Sequence, residues 1–81
     1  MKSQIEINES ISGCKIKIAE SYQNEQKFSS VMTPAMRANY AKTRSYITGW
    51  IDCLEGNIPI DDNPAYKDGY RNAKDWVSRN G

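Results

Sequence analysis

The chain reads as a small, mainly α-helical domain. Three observations predict this: two segments that each open on a cap-plus-proline signal, apolar residues spaced at helical intervals behind each signal, and a length that supports a single core. The 81 residues are 38% hydrophobic and 26% charged, which is ordinary globular usage and not the apolar-poor composition of a disordered chain. We therefore treat residues 1–81 as one domain.

The clearest element runs over residues 33–56. Thr33 supplies a capping hydroxyl, Pro34 takes the first helical position, and Gly56 follows Leu54-Glu55 as a stop. Successive residues turn by about 100° on a helix, which places Met36, Tyr40, Thr43, Ile47, Trp50, Ile51 and Leu54 on one stripe expected to lie on a core. Gly49 falls away from that stripe, at a propensity cost of ~1 kcal/mol relative to alanine unless another chain segment approaches there. Residues 57–63, Asn-Ile-Pro-Ile-Asp-Asp-Asn, read as a loop. Asn63-Pro64 repeats the start signal for a second helix over 64–80, with Tyr66, Tyr70, Ala73 and Val77 on its inner face and Asn80-Gly81 as its stop. A short loop between two helices implies an antiparallel helical hairpin.

Residues 1–30 fit two patterns. As a helix, Ile7, Ile11, Cys14, Ile18 and Tyr22 share a face while Ile5 and Ile16 point away from the core. As a β-hairpin, Ile5-Glu-Ile7 and Cys14 to Ile18 alternate around a turn at Asn8 to Gly13. The outward Ile5 and Ile16 count against the helix, whereas a two-stranded ribbon alone is only marginally stable, and the helix is the reading we favour. In the helical reading, Ile5 and Ile16 leave a spare apolar face that a homodimer would bury.

Charge and residue types restrict the function. Eleven basic and ten acidic residues give a net charge of +1 with no histidine, so the strong positive field typical of nucleic-acid binders is missing, as is the commonest general base and transition-metal ligand. Cys14 and Cys53 are too few for a disulfide scaffold and have no nearby third ligand for zinc. No catalytic, cofactor-binding or metal-binding set stands out, and we expect a non-enzymatic protein without a cofactor. The absence of a secretory start and of a long apolar run gives the expectation of a cytoplasmic protein with no membrane partner.

The second half of the chain carries a short internal repeat. Tyr46-Ile-Thr-Gly49-Trp50 recurs as Tyr66-Lys-Asp-Gly69-Tyr70, an aromatic, a glycine and a second aromatic on neighbouring turns. Glycine on a helix surface admits another backbone or a flat ring. The alternative is a set of core aromatics beside incidental glycines. The order Gly49-Trp50, Gly56, Asn63-Pro64, then Tyr66 to Ala73 resembles the helix-loop-helix of ribosome modulation factor and of small phage-encoded proteins with the same pattern. The resemblance spans residues 46–76. It implies a protein that inhibits or retunes a host macromolecular complex such as a defence complex or polymerase, or alternatively a ribosome- or nucleic-acid-binding modulator.

Two flanks supply candidate partner-binding residues. Arg37 and Arg44 lie seven residues apart on the first capped helix, and Lys67, Arg71 and Lys74 share a flank of the second. Together they would form a basic band suited to an acidic protein patch or phosphate, or merely solvated helix flanks. Tyr46 and Trp76 fall to the side of the main apolar stripes, where part-exposed aromatics act as contact anchors or equally pack on the N-terminal segment. The acids Asp52, Glu55, Asp61, Asp62 and Asp68 read as a solubilising, helix-capping group around the loop, or alternatively as a surface for an Arg-rich partner. A protein partner is the leading expectation.

Overall fold

A computed structural model describes residues 1–79 and contains three helices: α1 (Gln4–Lys27), α2 (Pro34–Leu54) and α3 (Pro64–Ser78). No strand occurs among the described residues, so the β-hairpin alternative for the first thirty residues is not realised. The start of α1 is capped. Ser3 accepts a hydrogen bond from the Glu6 amide at 3.2 Å, and its hydroxyl donates to the Glu6 carboxylate at 3.3 Å. The first of these bonds satisfies one of the N–H groups that a helix start otherwise leaves open. As the helical reading requires, Ile5 and Ile16 are exposed.

The other two starts form as their sequences dictate. Thr33 Oγ1 accepts from the Met36 amide at 3.2 Å, and Asn63 Oδ1 accepts from the Ala65 amide at 2.9 Å. At the end of α2, Gly56 adopts φ 79°, the left-handed conformation that glycine enters at low cost. A 3-10 turn, Ser29–Val31, links α1 to α2. The expected stop at Asn80-Gly81 lies outside the described residues.

The helical pair at the C-terminal end is held by its glycines. A Cβ at Gly49 would stand 2.9 Å from the Tyr66 carbonyl carbon and 3.1 Å from the Tyr70 nitrogen, and would overlap the Tyr66 carbonyl oxygen. Gly69 is the reciprocal case: its Cβ would stand 2.8 Å from the Tyr46 carbonyl carbon and overlap the Tyr46 oxygen. Each glycine of the repeat therefore receives the backbone of the first tyrosine of the other copy. Both glycines are buried. Around this contact sits a small core of Ile51, Ala65, Tyr66 and Ala73.

The α1 helix is attached differently. Trp50 Nε1 donates to Ser10 Oγ at 3.1 Å, Arg44 Nη1 to Ser21 Oγ at 3.2 Å, and Arg37 reaches Glu25 at 3.9 Å, so α1 and α2 run in opposite directions. The Lys2 amide donates to the Val77 carbonyl at 2.9 Å and ties the start of α1 to the end of α3. Yet the only buried residue of α1 is Ser21. Ile7, Ile11, Cys14 and Ile18 are half-covered.

The apolar stripe expected on α2 is covered only in its second half. Ile51 is buried and Trp50 and Leu54 are half-buried, whereas Met36 and Thr43 are exposed. The cause is where α1 sits. It passes over the flank that carries Arg37 and Arg44, leaving Met36, Tyr40, Thr43 and Ile47 as one wall of an open groove.

Replacing either helix-surface glycine by alanine separates intrinsic propensity from packing. On an isolated helix the change would stabilise by ~1 kcal/mol. Here Gly49→Ala and Gly69→Ala should each destabilise by about 2–3 kcal/mol or more, because the obstructing atoms belong to backbone. Thermal unfolding of the two variants beside the parent chain checks the sign.

Candidate functional site

The residues proposed from sequence as a basic surface are largely engaged within the fold. The Arg44 side chain is only 14% exposed: Nη1 lies 2.7 Å from the Glu25 carboxylate, and the guanidinium stacks on the Tyr22 ring at 4.2 Å. Arg37 shares Glu25 and also donates to the Ser29 carbonyl at 3.4 Å. Lys67 pairs with Asp62 at 3.7 Å, and Arg71 with Asp68 at 3.0 Å. Lys74 is exposed near Cys53. These five cations do not assemble into one unneutralised band, since Arg37 and Arg44 are turned onto α1 and two of the remaining three are paired with acids of their own segment.

The proposed aromatic anchors are part-exposed and also make contacts within the fold. Tyr46 is half-buried and its hydroxyl accepts from Asn72 at 2.8 Å. Trp76 is half-buried, tilted against Trp50 with ring centroids 5.7 Å apart, and overlain by the Lys2 ammonium at 5.2 Å. Trp50 and Tyr70 are half-buried too, so position on the helix wheel does not separate the four aromatics.

The connecting loop is the feature that sequence reasoning undervalued. Ile58 and Ile60 are 80% and 82% exposed, the highest values among large apolar side chains after Met1. They flank Pro59 and are followed by exposed Asp61 and Asp62. Helix side chains fix both ends of the loop. Tyr70 donates its hydroxyl proton to the Asn57 carbonyl at 2.8 Å, and the Ile60 amide donates to the Tyr66 hydroxyl at 3.4 Å. The Asn63 amide closes a turn onto the Asp61 carboxylate at 2.9 Å. The clue in the sequence was Ile-Pro-Ile itself, two apolar residues in a segment otherwise made of turn formers and acids.

Beside the loop lies a recess of about 340 Å³ bounded by Tyr22, Arg44, Thr48, Ile60, Asp61 and Tyr66. It joins α1, α2 and the loop into one face. Arg44, its guanidinium held by Glu25 and stacked on Tyr22, forms one wall, and Ile60 supplies an apolar edge. The exposed acids Asp61 and Asp62 stand next to it.

The chain matches no family model, no curated protein and no solved structure.

Tyr66 is the polar centre of this region. It is 1% exposed, and its hydroxyl donates to the Asp52 carboxylate. Burial raises its pKa above the ordinary 10.0, and the hydrogen bond to Asp52 raises it further. Burial likewise pushes the thiols of Cys14 and Cys53 above 9.0, against smaller opposing effects of Ser10 and Lys17 on the first and Lys74 on the second. Raised thiol pKa values disfavour the nucleophilic thiolate. Among the described residues, no group of three or more Cys, Asp or Glu side chains is placed to hold a metal ion. No described helix is long and apolar enough to cross a membrane.

These shifts set an alkaline limit on stability. The unfolded chain loses its thiol and phenol protons at lower pH than the folded chain, so between the unfolded and folded pKa values the native state binds more protons and stability falls as pH rises. Unfolding midpoints should therefore decline above pH 9.0, the ordinary thiol value, and more steeply above 10.0, that of tyrosine. Tyr66→Phe should remove the steeper part while costing about 1–3 kcal/mol at neutral pH, because Asp52 and the Ile60 amide lose their partner. Denaturant unfolding across the alkaline range reads both effects.

Proposed function

We propose that the chain is a small non-enzymatic binding protein that docks onto a larger protein assembly through the loop of residues 57–62 and the adjoining recess. The observation that carries this reading is the pair of highly exposed isoleucines in a loop clamped at both ends. An apolar pair held in place offers contact area with little ordering cost on binding. Asp61 and Asp62 add negative charge at its rim, so the complementary partner surface is an apolar cleft bordered by Arg or Lys.

The resemblance of residues 46–76 to ribosome modulation factor and related small phage proteins supports a modulatory role, namely inhibiting or retuning a host complex such as a defence complex or polymerase. Between a protein partner and nucleic acid, the charge arrangement favours protein. Glu25 pairs with Arg37 and Arg44, and Asp62 and Asp68 pair with Lys67 and Arg71, so these flanks do not offer phosphate a continuous cationic strip.

Affinity capture from lysate identifies the partner, and titration calorimetry on the purified pair then measures the contribution of the loop. Ile58→Ser with Ile60→Ser should weaken binding by ~2 kcal/mol or more without lowering the unfolding temperature, since both side chains are solvent-exposed. Reversing Asp61 and Asp62 to Lys should slow association. Unchanged affinity in both variants would overturn the loop reading. Binding that instead follows bulk nucleic acid and collapses steeply with salt would favour the alternative modulator of ribosomes or nucleic acid.

A further inference from the structure

The chain exposes 5646 Å², whereas a folded monomer of 9.2 kDa exposes about 4,900 Å² on the usual scaling with mass. The surplus of roughly 700 Å² is close to the ~800 Å² that each partner contributes to a standard interface. It coincides with an unfinished layer of structure. The groove between α1 and α2 has a volume of about 440 Å³, with Lys17, Glu20 and Asn24 on one wall and Met36, Tyr40 and Ile47 on the other.

We infer that this groove is the interface of a homodimer, in which α1 of one copy lies antiparallel against α1 of a second copy about a two-fold axis at the level of Ile18 and Ala19. A two-fold interface requires a surface complementary to itself. The groove-side face of α1 meets that condition through the order Glu9, Gly13, Lys17, Glu20, Asn24, Lys27. In the antiparallel register Lys17 faces Glu20 of the second copy, Gly13 faces Asn24, and Glu9 comes within one residue of Lys27. Every contact occurs twice. Glu9, Lys17, Glu20 and Lys27 form no ion pair within the described residues, so their charges remain available.

A further feature fits the register. Gly13 has nothing within 4 Å of the Cβ position it lacks. The other two helix-interior glycines, Gly49 and Gly69, each admit a neighbouring backbone, and Gly13 leaves equivalent room for a helix from outside. Two antiparallel helical pairs joined in this way make a four-helix arrangement, a common solution for helices with half-covered apolar faces. The groove shares no lining residue with the recess beside the loop, so dimerisation and partner binding are separate properties and each can fail alone.

Sedimentation equilibrium of the full chain over a concentration series provides the test. The expected result is a species of about 18 kDa, twice the 9.2 kDa chain, that dissociates on dilution. Lys17→Glu and Glu20→Lys should each weaken association roughly tenfold or more, since each places like charges together twice. The combined swap should restore it. Gly13→Gln, at a helical position open to solvent in the single chain, should weaken the dimer while leaving the helical circular dichroism of the dilute protein intact. A chain that stays monomeric to about 1 mM leaves the groove to another occupant and overturns the inference. So does a dimer indifferent to Lys17→Glu, or one that the charge swap fails to restore.

Discussion

Close approach of α2 and α3 at Gly49 and Gly69 is the constraint from which the rest of the structure follows. Two helices with ordinary side chains at their contact keep their axes about 8–10 Å apart. Removing both Cβ atoms lets backbone meet backbone, and it brings Tyr66 far enough into α2 for its hydroxyl to reach Asp52. From that position the same hydroxyl receives the Ile60 amide, while Tyr70, one turn later, reaches the Asn57 carbonyl. The shape of the loop is thus a consequence of how closely two helices meet.

Charge is organised by the same economy of length. A small chain has little interior, and Arg44 takes part in it through aliphatic and ring contact with Tyr22 while its head is held by Glu25 and Ser21. This cluster, not a seam of buried leucines, joins the far ends of α1 and α2. Beside this largely covered cluster, the attachment of α1 rests on its half-covered isoleucines, the Trp50–Ser10 hydrogen bond, and the bond from Lys2 to Val77.

Much of this fold was legible because the signals were local. Thr33-Pro34, Gly56 and Asn63-Pro64 mark helix ends through chemistry confined to a few residues, and the α2 and α3 boundaries follow them closely. The cap of Ser3 on the Glu6 amide was equally local but went unread, which left the first thirty residues open between helix and hairpin. The repeat around Gly49 and Gly69 was visible, and close approach was one of its two readings, but nothing in one sequence says which backbone comes to which glycine. The function of the Arg37 and Arg44 flank was not legible for a related reason. A cationic flank looks the same whether it meets water or another helix, and Glu25 acquires its importance only once α1 folds back. The partial exposure of Tyr46 and Trp76 was legible, but their contacts with Asn72, Trp50 and Lys2 come from distant parts of the chain and were not.

The open groove also means that the molecule is held together unevenly along its length. Near Gly49 and Gly69, separating the helices requires exposing Ile51, Tyr66 and Ala73 together, so those segments open only as the whole domain unfolds. Toward the turn at Ser29–Val31, the middle and end of α1 and the beginning of α2 have an uncovered apolar wall and few buried groups. Such a region opens by smaller, cheaper fluctuations. Its amide protons would exchange with solvent while those at the glycine contact stayed protected, giving a single 81-residue chain two distinct levels of cooperativity.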